Sequence, residues 1–587
     1  MIFIKSYHYL PYFADDSLIS LRYAQRLIDG YGLTWTEGIP VEGYSNLLWT
    51  LIMAAFGWIG VDMVFAARLV GVSLAIANSY LIMKYISRRV ENATVVIGVV
   101  LLFYSFSGTV AVWSIAGLEQ PLVAFLALSA IYNFLNFKDY NAKKSLWLSS
   151  LSLGMLAITR PDGAMLAGLL CLIYLFWNRK QLKKALPNAA ILVLFTALFY
   201  LGQLAFRLYY YGEYVPNTAH VKVSPSLYHA WYGLKYTLRF AKSIAVLVLL
   251  SFACISYLNK KKRDRFVMYI VILGTWFAYL SFVAGDIFMA FRHHYYTIVV
   301  LMLLLSDGLP LLIRELNKQK LTKPFAVILS LGAMFYVYHQ FENNNYENIE
   351  TYHWTLHQKT LGLALKDVFE EEQPLIAVDA AGSVPYWTKF PALDMLGLND
   401  YHIARNKPGD MGGGFIGHEL GDPEYTMDMR PDIFEIHAGL RTPHWYIDSA
   451  VMKHPEFVDY LPIGLYADEY NGFDFSGVLW FDKYSKKVGV RMEENKLIMP
   501  GYLFLPDDTS DVALFRIKHL VRPMKPGVDY KLSLKENQYI YTDFETTPKG
   551  VEINKKIDAD SIIYTARNLS DTTVNLIEVV AKKEELE

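Results

Sequence analysis

The sequence predicts a polytopic α-helical membrane protein that carries a C-terminal soluble domain, first α/β and then β-rich. Three observations lead there. Of the 587 residues, 53% are hydrophobic and 15% aromatic, more than an ordinary soluble chain carries. Up to about residue 340, long apolar runs alternate with short basic loops; from Phe341 onward the runs stop and Asp, Glu, Gly and Pro rise. The net charge is −1, so no overall field points to nucleic acid. The two cysteines, Cys171 and Cys254, lie in apolar runs, which excludes a disulfide framework and a cysteine metal site.

A membrane domain is expected over 1–340, with its first outward loop over 1–62. A bilayer core takes about twenty apolar residues per helix. Candidate spans lie near 64–83, 93–112, 121–137, 187–206, 240–257, 266–284, 294–312 and 323–340. The run 145–177 is broken by Arg160-Pro161-Asp162-Gly163 and reads as two short helices meeting at a loop, for about ten spans in all. The run 47–60 is too short to span comfortably and reads as an interfacial or re-entrant helix.

Charge sets the orientation. Alternate connections carry Lys84/Arg88/Arg89, Lys138/Lys143/Lys144, Arg179/Lys180/Lys183/Lys184, Lys260/Lys261/Lys262/Arg263/Arg265 and Arg314/Lys318/Lys320/Lys323. Cytoplasmic loops gather Lys and Arg, so the remaining loops and everything after residue 340 are expected outside. That face offers no nucleotide-sugar pool, and no nucleotide cofactor is expected. Residues 341–440 read as alternating strands and helices, with "LIAVDAAG" an apolar strand ending at a small-residue turn. Residues 441–587 read as short β runs with a sandwich-like end. "MGGGFIGHE" (411–419) lacks the strand-to-helix spacing of a nucleotide loop.

The outward loops hold the chemistry. Asp15 and Asp16 open the helical stretch "SLISLRYAQRLIDG". A single Asp there reads most simply as an N-cap. A second is not needed for capping, and paired carboxylates can supply a base or hold a divalent cation such as Mg2+ or Mn2+. Glu119 precedes Pro121 at a span start, where an acid complements the helix dipole. Arg160 and Asp162 lie between two apolar helices, where charges mark a site or simply pair with each other. Asp286, Arg292, His293 and His294 crowd one loop, where interfacial snorkelling is the plain alternative. Arg207, Asn217, His220 and Lys222 lie in another. Arg and His suit a phosphate or pyrophosphate leaving group, carboxylates suit a hydroxyl nucleophile or a cation, and the aromatics suit sugar faces.

The stretch "ADDSLISLRYAQRLIDGYGLTW…EGIPVEGYSNLLWTL" resembles the first extracytoplasmic loop of GT-C glycosyltransferases. The nearest resemblance is to the terminal β-arabinofuranosyltransferase family, through "WSIAGLEQPL", "AITRPDGAM", "FRLYYYGEYVPNTAHVK" and "VAGDIFMAFRH". In the soluble part "VDAAGSVPYW", "ALDMLGLNDYHIA", "GHELGDPEYTM" and "RPDIFEIH" extend it to about residue 440. The resemblance implies an enzyme of the bacterial inner membrane. It would move a sugar, arabinofuranose in the nearest family, from a polyprenyl-phosphate donor to a polysaccharide or glycolipid acceptor of the cell envelope. It implies a catalytic carboxylate in the first loop. Asp15 is favoured as the base, with Asp16 supporting it or a cation. Glu42 and Glu119 would bind sugar hydroxyls. Arg160, Lys222, Asp286, Arg292 and His293 would line the donor phosphate region, and Asp162 and Asn217 join the substrate-binding set from the same loops.

The family carries a transmembrane helix before its first loop, where this chain offers only residues 1–14; a misassigned start or a fragment is expected. The competing reading is a non-enzymatic accessory protein of the cell envelope or flagellar motor that retains the scaffold. A transporter would show internal repeats and charges along its spans, and neither is found.

Overall fold

In the computed structural model, the apolar runs fold as a helical unit and the polar remainder as a sheet-containing unit. The structure describes all residues except 1–5, 8, 223–225, 343–345, 347–348, 350–351, 407–416, 440–442, 469, 471, 494–495, 507–514, 517–521, 536–540, 559–560 and 584–587. The glycine-rich stretch of 411–419 thus lies largely outside them. One unit comprises 1–35, 39–353 and 410–417; the other comprises 36–38, 354–409 and 418–587.

The helical unit is polytopic. Among the described residues, six helices are long and apolar enough to cross a membrane: Met63–Ser87, Gln120–Tyr140, Arg179–Tyr210, Arg263–Phe282, Met289–Lys318 and Thr322–Glu342. A seventh is counted if the pair Leu227–Ser243 and Ala245–Lys261, bent by 88°, forms one broken span. This is fewer than the ten expected, for three local reasons. The run 93–112 ends its first helix at Ser105 and restarts at Gly108, so neither piece alone reaches spanning length. The run 145–177 folds as Lys143–Thr159 and Gly163–Trp177, broken where Pro161 denies the helix an N–H donor. A Cβ on Gly163 would stand 2.5 Å from the Leu156 carbonyl oxygen, so the corner closes only around glycine. The expected span 240–257 breaks at Ile244, and the freed Ser243 carbonyl is capped by the Gln340 side-chain amide at 2.7 Å. A buried backbone carbonyl needs such a partner. Leu47–Trp58 is a short apolar helix of 12 residues.

One span carries a buried acid level with the basic ends of its neighbours. Asp307, 1% exposed, accepts hydrogen bonds from the Tyr85 and Tyr269 hydroxyls at 2.8 Å each. Lys262 Nζ stands at 3.1 Å and Arg265 Nε at 3.9 Å. Arg265 and Arg89 both also reach Asp139, at 2.7 and 3.0 Å. This satisfies a charge that would otherwise be costly among apolar helices.

In the second unit, β1 (Ile376–Val378), β2 (Ala392–Asp394) and β3 (Ile433–Glu435) form a parallel core in which β1 lies between the other two. β4 (Tyr460–Ala467) and β5 (Phe475–Asp482) extend it antiparallel in the order β2-β1-β3-β5-β4. One sheet therefore runs across residue 440. All three parallel strands are buried along their length, as strands covered on both faces are. Ala377, Leu393, Phe434, Ile447, Val451 and Tyr460 form the core around them. Farther on, two antiparallel four-stranded sheets are built, one on 551–558, 561–568, 529–535 and 505–506, the other on 541–547, 578–583, 496–500 and 491–493.

Burial at the end of β2 pushes the Asp394 carboxyl up from 3.8 to about 6, against hydrogen bonds from Asn399 and the Leu396 amide. A raised carboxyl binds a proton in the folded chain before the unfolded chain does. Its stabilising contribution is therefore full below 3.8 and fades as pH rises through about 6, by on the order of 3 kcal/mol. Unfolding of the full-length protein between pH 4 and 7 should show this slope, and Asp394→Asn should lack it. Equal slopes in both proteins would show that Asp394 titrates normally.

Candidate active site

The helix Asp15–Ile28 starts at an Ala14 cap with no side-chain capping bond, and both aspartates stand in its first turn. Neither is thus the N-cap residue. The turn is fixed from outside the helix. The Ala14 amide and the Ser17 hydroxyl donate to the Ala116 carbonyl at 3.0 and 2.8 Å, and the Trp49 indole donates to the Gly117 carbonyl at 3.0 Å. Gly117 adopts φ +91°, and a Cβ there would stand 2.2 Å from the Phe13 ring. Only glycine allows "WSIAG" to come this close.

Arg292 meets this turn. Its Nη1 stands 3.5 Å from Asp16 Oδ2, and its Nε 2.7 Å from Asp286 Oδ2. The guanidinium lies 4.5 Å from the Phe288 ring centre and 5.9 Å from that of Trp113, within reach of cation–π attraction. The Trp113 indole donates to the Ala290 carbonyl at 3.1 Å. Tyr12 packs edge-on to Trp113 and tilted against Tyr352. Desolvation and then the Asp15 carboxylate push the Tyr352 hydroxyl up to about 12.

A second cluster joins the same helix. Arg160 Nη1 donates to Glu119 Oε1 at 2.8 Å, and its Nε and Nη2 reach Asp162 at 3.1 and 3.0 Å. The Tyr279 hydroxyl donates to Asp162 Oδ2 at 3.2 Å. Glu119 Oε2 accepts from the Asn46 amide at 2.8 Å, and Asn46 Oδ1 accepts from Ser20 Oγ at 3.1 Å. Ser20 lies in the Asp15–Ile28 helix, so that helix bears on both clusters. Glu119 opens the helix Gln120–Tyr140 without capping it; its carboxylate is turned to Asn46 and Arg160 instead.

The third group is Glu42 with Arg207. The Arg207 Nε bonds one carboxylate oxygen and its Nη2 the other, at 3.1 Å for the latter. Burial pushes the Glu42 carboxyl above its ordinary value and the Arg207 partner opposes this. The Asn217 amide donates to the Glu42 carbonyl at 2.9 Å, and the helix Asn217–Lys222 follows. The Lys222 side chain lies outside the described residues.

The structure thus brings together Asp16, Asp286 and Arg292, then Glu119, Arg160 and Asp162, then Glu42 and Asn217. His293 is nearly buried and its carbonyl accepts from the Trp276 indole at 3.1 Å. His294 stacks on Phe240 at 4.0 Å in a fully buried position and serves packing. Sequence reasoning passed over Asn46, Tyr279 and Tyr352. Asn46 sits in "EGYSNLLW", a stretch already singled out, so a buried polar residue beside the acids was its available signal. Nothing local marks Tyr279 or Tyr352.

A domain of unknown function (DUF8728) matches residues 344–476. Over 221 residues the chain is 26% identical to the terminal beta-(1->2)-arabinofuranosyltransferase of Mycobacterium tuberculosis (strain ATCC 25618 / H37Rv), a match covering 36% of this chain. It spans about a third, 34%, of that protein's length. Among solved structures, ArnT from Cupriavidus metallidurans bound to undecaprenyl phosphate is similar at TM-score 0.49 and 12% identity, over 67% of this chain and 84% of that one. The archaeal oligosaccharyltransferase AglB from Archaeoglobus fulgidus, in complex with an inhibitory peptide and a dolichol-phosphate, follows at TM-score 0.45 and 12% identity, over 67% and 64%. The arabinofuranosyltransferase AftD from Mycobacteria reaches 0.46 at 10% identity, over 100% and 57%.

Proposed function

We propose that this chain is an integral membrane glycosyltransferase of the GT-C type, working on the extracytoplasmic face of a bacterial inner membrane. It moves a sugar from a polyprenyl-phosphate donor to a glycan acceptor of the cell envelope, with arabinofuranose as the sugar. The observation that carries this reading is the arrangement at the first helix: two carboxylates in one turn, with a single arginine drawn against Asp16 and Asp286. The partial likeness to an arabinofuranosyltransferase supports the choice of sugar.

In this mechanism the acceptor hydroxyl oxygen attacks the anomeric carbon as the bond from that carbon to the phosphate oxygen breaks. Asp15 takes the hydroxyl proton, and the polyprenyl phosphate leaves with the bonding electrons. Such a base contributes typically 10²- to 10⁴-fold. Arg292 stabilises the leaving phosphate, with Arg160 and Lys222 adding positive charge. Glu119, Asp162 and Asn217 position the sugar, and Glu42 holds Arg207 in place. Were Asp15 and Asp16 to hold a divalent cation such as Mg2+ or Mn2+, it would assist departure of the leaving phosphate.

The test supplies purified full-length protein in lipid nanodiscs with polyprenyl-phosphoryl sugars of several kinds and an envelope-glycan acceptor. Label should pass to the acceptor from the arabinofuranosyl donor, and not from hexosyl donors. Transfer from another donor alone would replace the sugar. No transfer from any donor, by protein shown to be folded, would favour the accessory role.

A further inference from the structure

A separate constellation lies in the second unit. Among the described residues, Asp379, His437 and Asp448 each offer a metal-binding atom within 4.8 Å of the others. Asp379 directly follows β1 and His437 stands two residues past β3, neighbouring parallel strands. Strand order reverses at β1, with β2 on one side and β3 on the other. In open α/β sheets, ligands bind outside the carboxyl ends of the strands, at this kind of switch point. Asp448 comes in from the helix Tyr446–Met452.

The state of Asp448 points to a ligand. Its side chain is fully buried. One carboxylate oxygen, Oδ2, accepts from the His444 and Trp445 amides at 2.9 Å each; the other, Oδ1, has no hydrogen-bond partner among the described residues. Leaving a buried carboxylate oxygen unpaired is expensive. Asp379 is nearly buried as well, its Oδ2 accepting from the His437 amide at 3.0 Å, with His437 Nδ1 3.8 Å away. His437 is held at φ 43°, in the left-handed region, which His enters more readily than most residues. Its ring lies flat on His444, centres 4.2 Å apart.

We infer that Asp379, His437 and Asp448 form a site for a divalent cation of the Zn2+ class. One imidazole and two carboxylates suit Zn2+ or Mn2+ better than the all-oxygen shells of Ca2+ and Mg2+. Bonds of about 2.0–2.2 Å place tetrahedral ligand atoms roughly 3.4 Å apart, so the site closes inward from its present spacing of up to 4.8 Å on taking up the ion. Three protein ligands leave a fourth position for water or a substrate oxygen. The site lies within the region matched by the domain of unknown function, and it stands independently of the glycosyltransferase reading.

The experiment strips full-length protein with EDTA, then titrates Zn2+, Mn2+ and Mg2+ separately by calorimetry. Wild type and Asp15→Asn/Asp16→Asn should each bind Zn2+ at this site with equal affinity. His437→Gln and Asp448→Asn should weaken Zn2+ by more than the roughly 10- to 100-fold that loss of a supporting partner costs. Asp448→Asn retains an oxygen for the two amides, and circular dichroism of both metal-free variants verifies their fold. Absence of a Zn2+ heat in wild type would overturn the site. So would unchanged Zn2+ affinity in both folded ligand variants, or loss of it in the Asp15/Asp16 variant alone.

Discussion

Asp15→Asn should lower transfer by 10²- to 10⁴-fold with little change in KM for the donor, a loss of about 3–5 kcal/mol from the transition state. The two aspartates of the first turn are not equivalent. Asp16 faces Arg292 at 3.5 Å, and an opposite charge at that range favours the ionised form and makes it a poorer base. Asp15 acts on the Tyr352 hydroxyl, which it pushes up. Asp16→Asn should therefore act mainly through Arg292, loosening the leaving-group arginine. It should raise KM for the donor and reduce turnover less than Asp15→Asn. Measuring kcat and KM separately for both single variants distinguishes the roles. Equal, complete loss in both would favour a shared cation over a base. Full activity in both would remove the carboxylates from the chemistry.

Arg160→Met should destabilise the protein by about 3–5 kcal/mol, the usual loss when one partner of a buried ionic cluster is removed. The arginine is the cation common to Glu119 and Asp162, whose side chains are 3% and 6% exposed. Without it, both carboxylates stay buried among Asn46, Gln120 and Tyr279 and lose the cation they share. Arg160→Lys should recover part of the loss, since an ammonium is a point charge and cannot reproduce the guanidinium fork on two acids. Adding Glu119→Gln and Asp162→Asn to Arg160→Met should restore much of the stability, because the orphaned charges are then gone. Denaturant unfolding of these proteins together with Glu119→Gln/Asp162→Asn alone closes the cycle. Equal stability of Arg160→Met and wild type would mean that the cluster is open to water.

Much of this was legible in the sequence, and the reasons differ from place to place. The apolar runs and Arg160-Pro161-Asp162 carry their meaning locally, since length, hydropathy and a proline decide helix against break. The acids of the first loop were conspicuous because they crowd one short stretch, whereas acids elsewhere in the apolar half are scattered. The break at Ile244 was not legible: no Gly or Pro marks it, and the Gln340 amide that caps Ser243 comes from far along the chain. The shared sheet of β3 and β5 was equally hidden, because antiparallel pairing across an apparent change of composition leaves no local trace. Asp379, His437 and Asp448 are 58 and 11 residues apart in turn, a spacing that no short motif describes; only the parallel pairing of β1 with β3 brings the first two together.

The buried Asp307 has a consequence for how the chain is made. An Asp at a helix centre disfavours entry into the bilayer by about 2.5–3.5 kcal/mol, and one level with the basic helix ends, as here, costs less but still needs partners. Every partner that satisfies Asp307, namely Tyr85, Lys262, Arg265 and Tyr269, precedes it in the chain. By the time Tyr295–Lys318 leaves the ribosome, the helices that receive its carboxylate have already been synthesised. The acid can thus be handed from the translocation channel to waiting donors without residence in lipid, so the order of synthesis itself favours correct assembly.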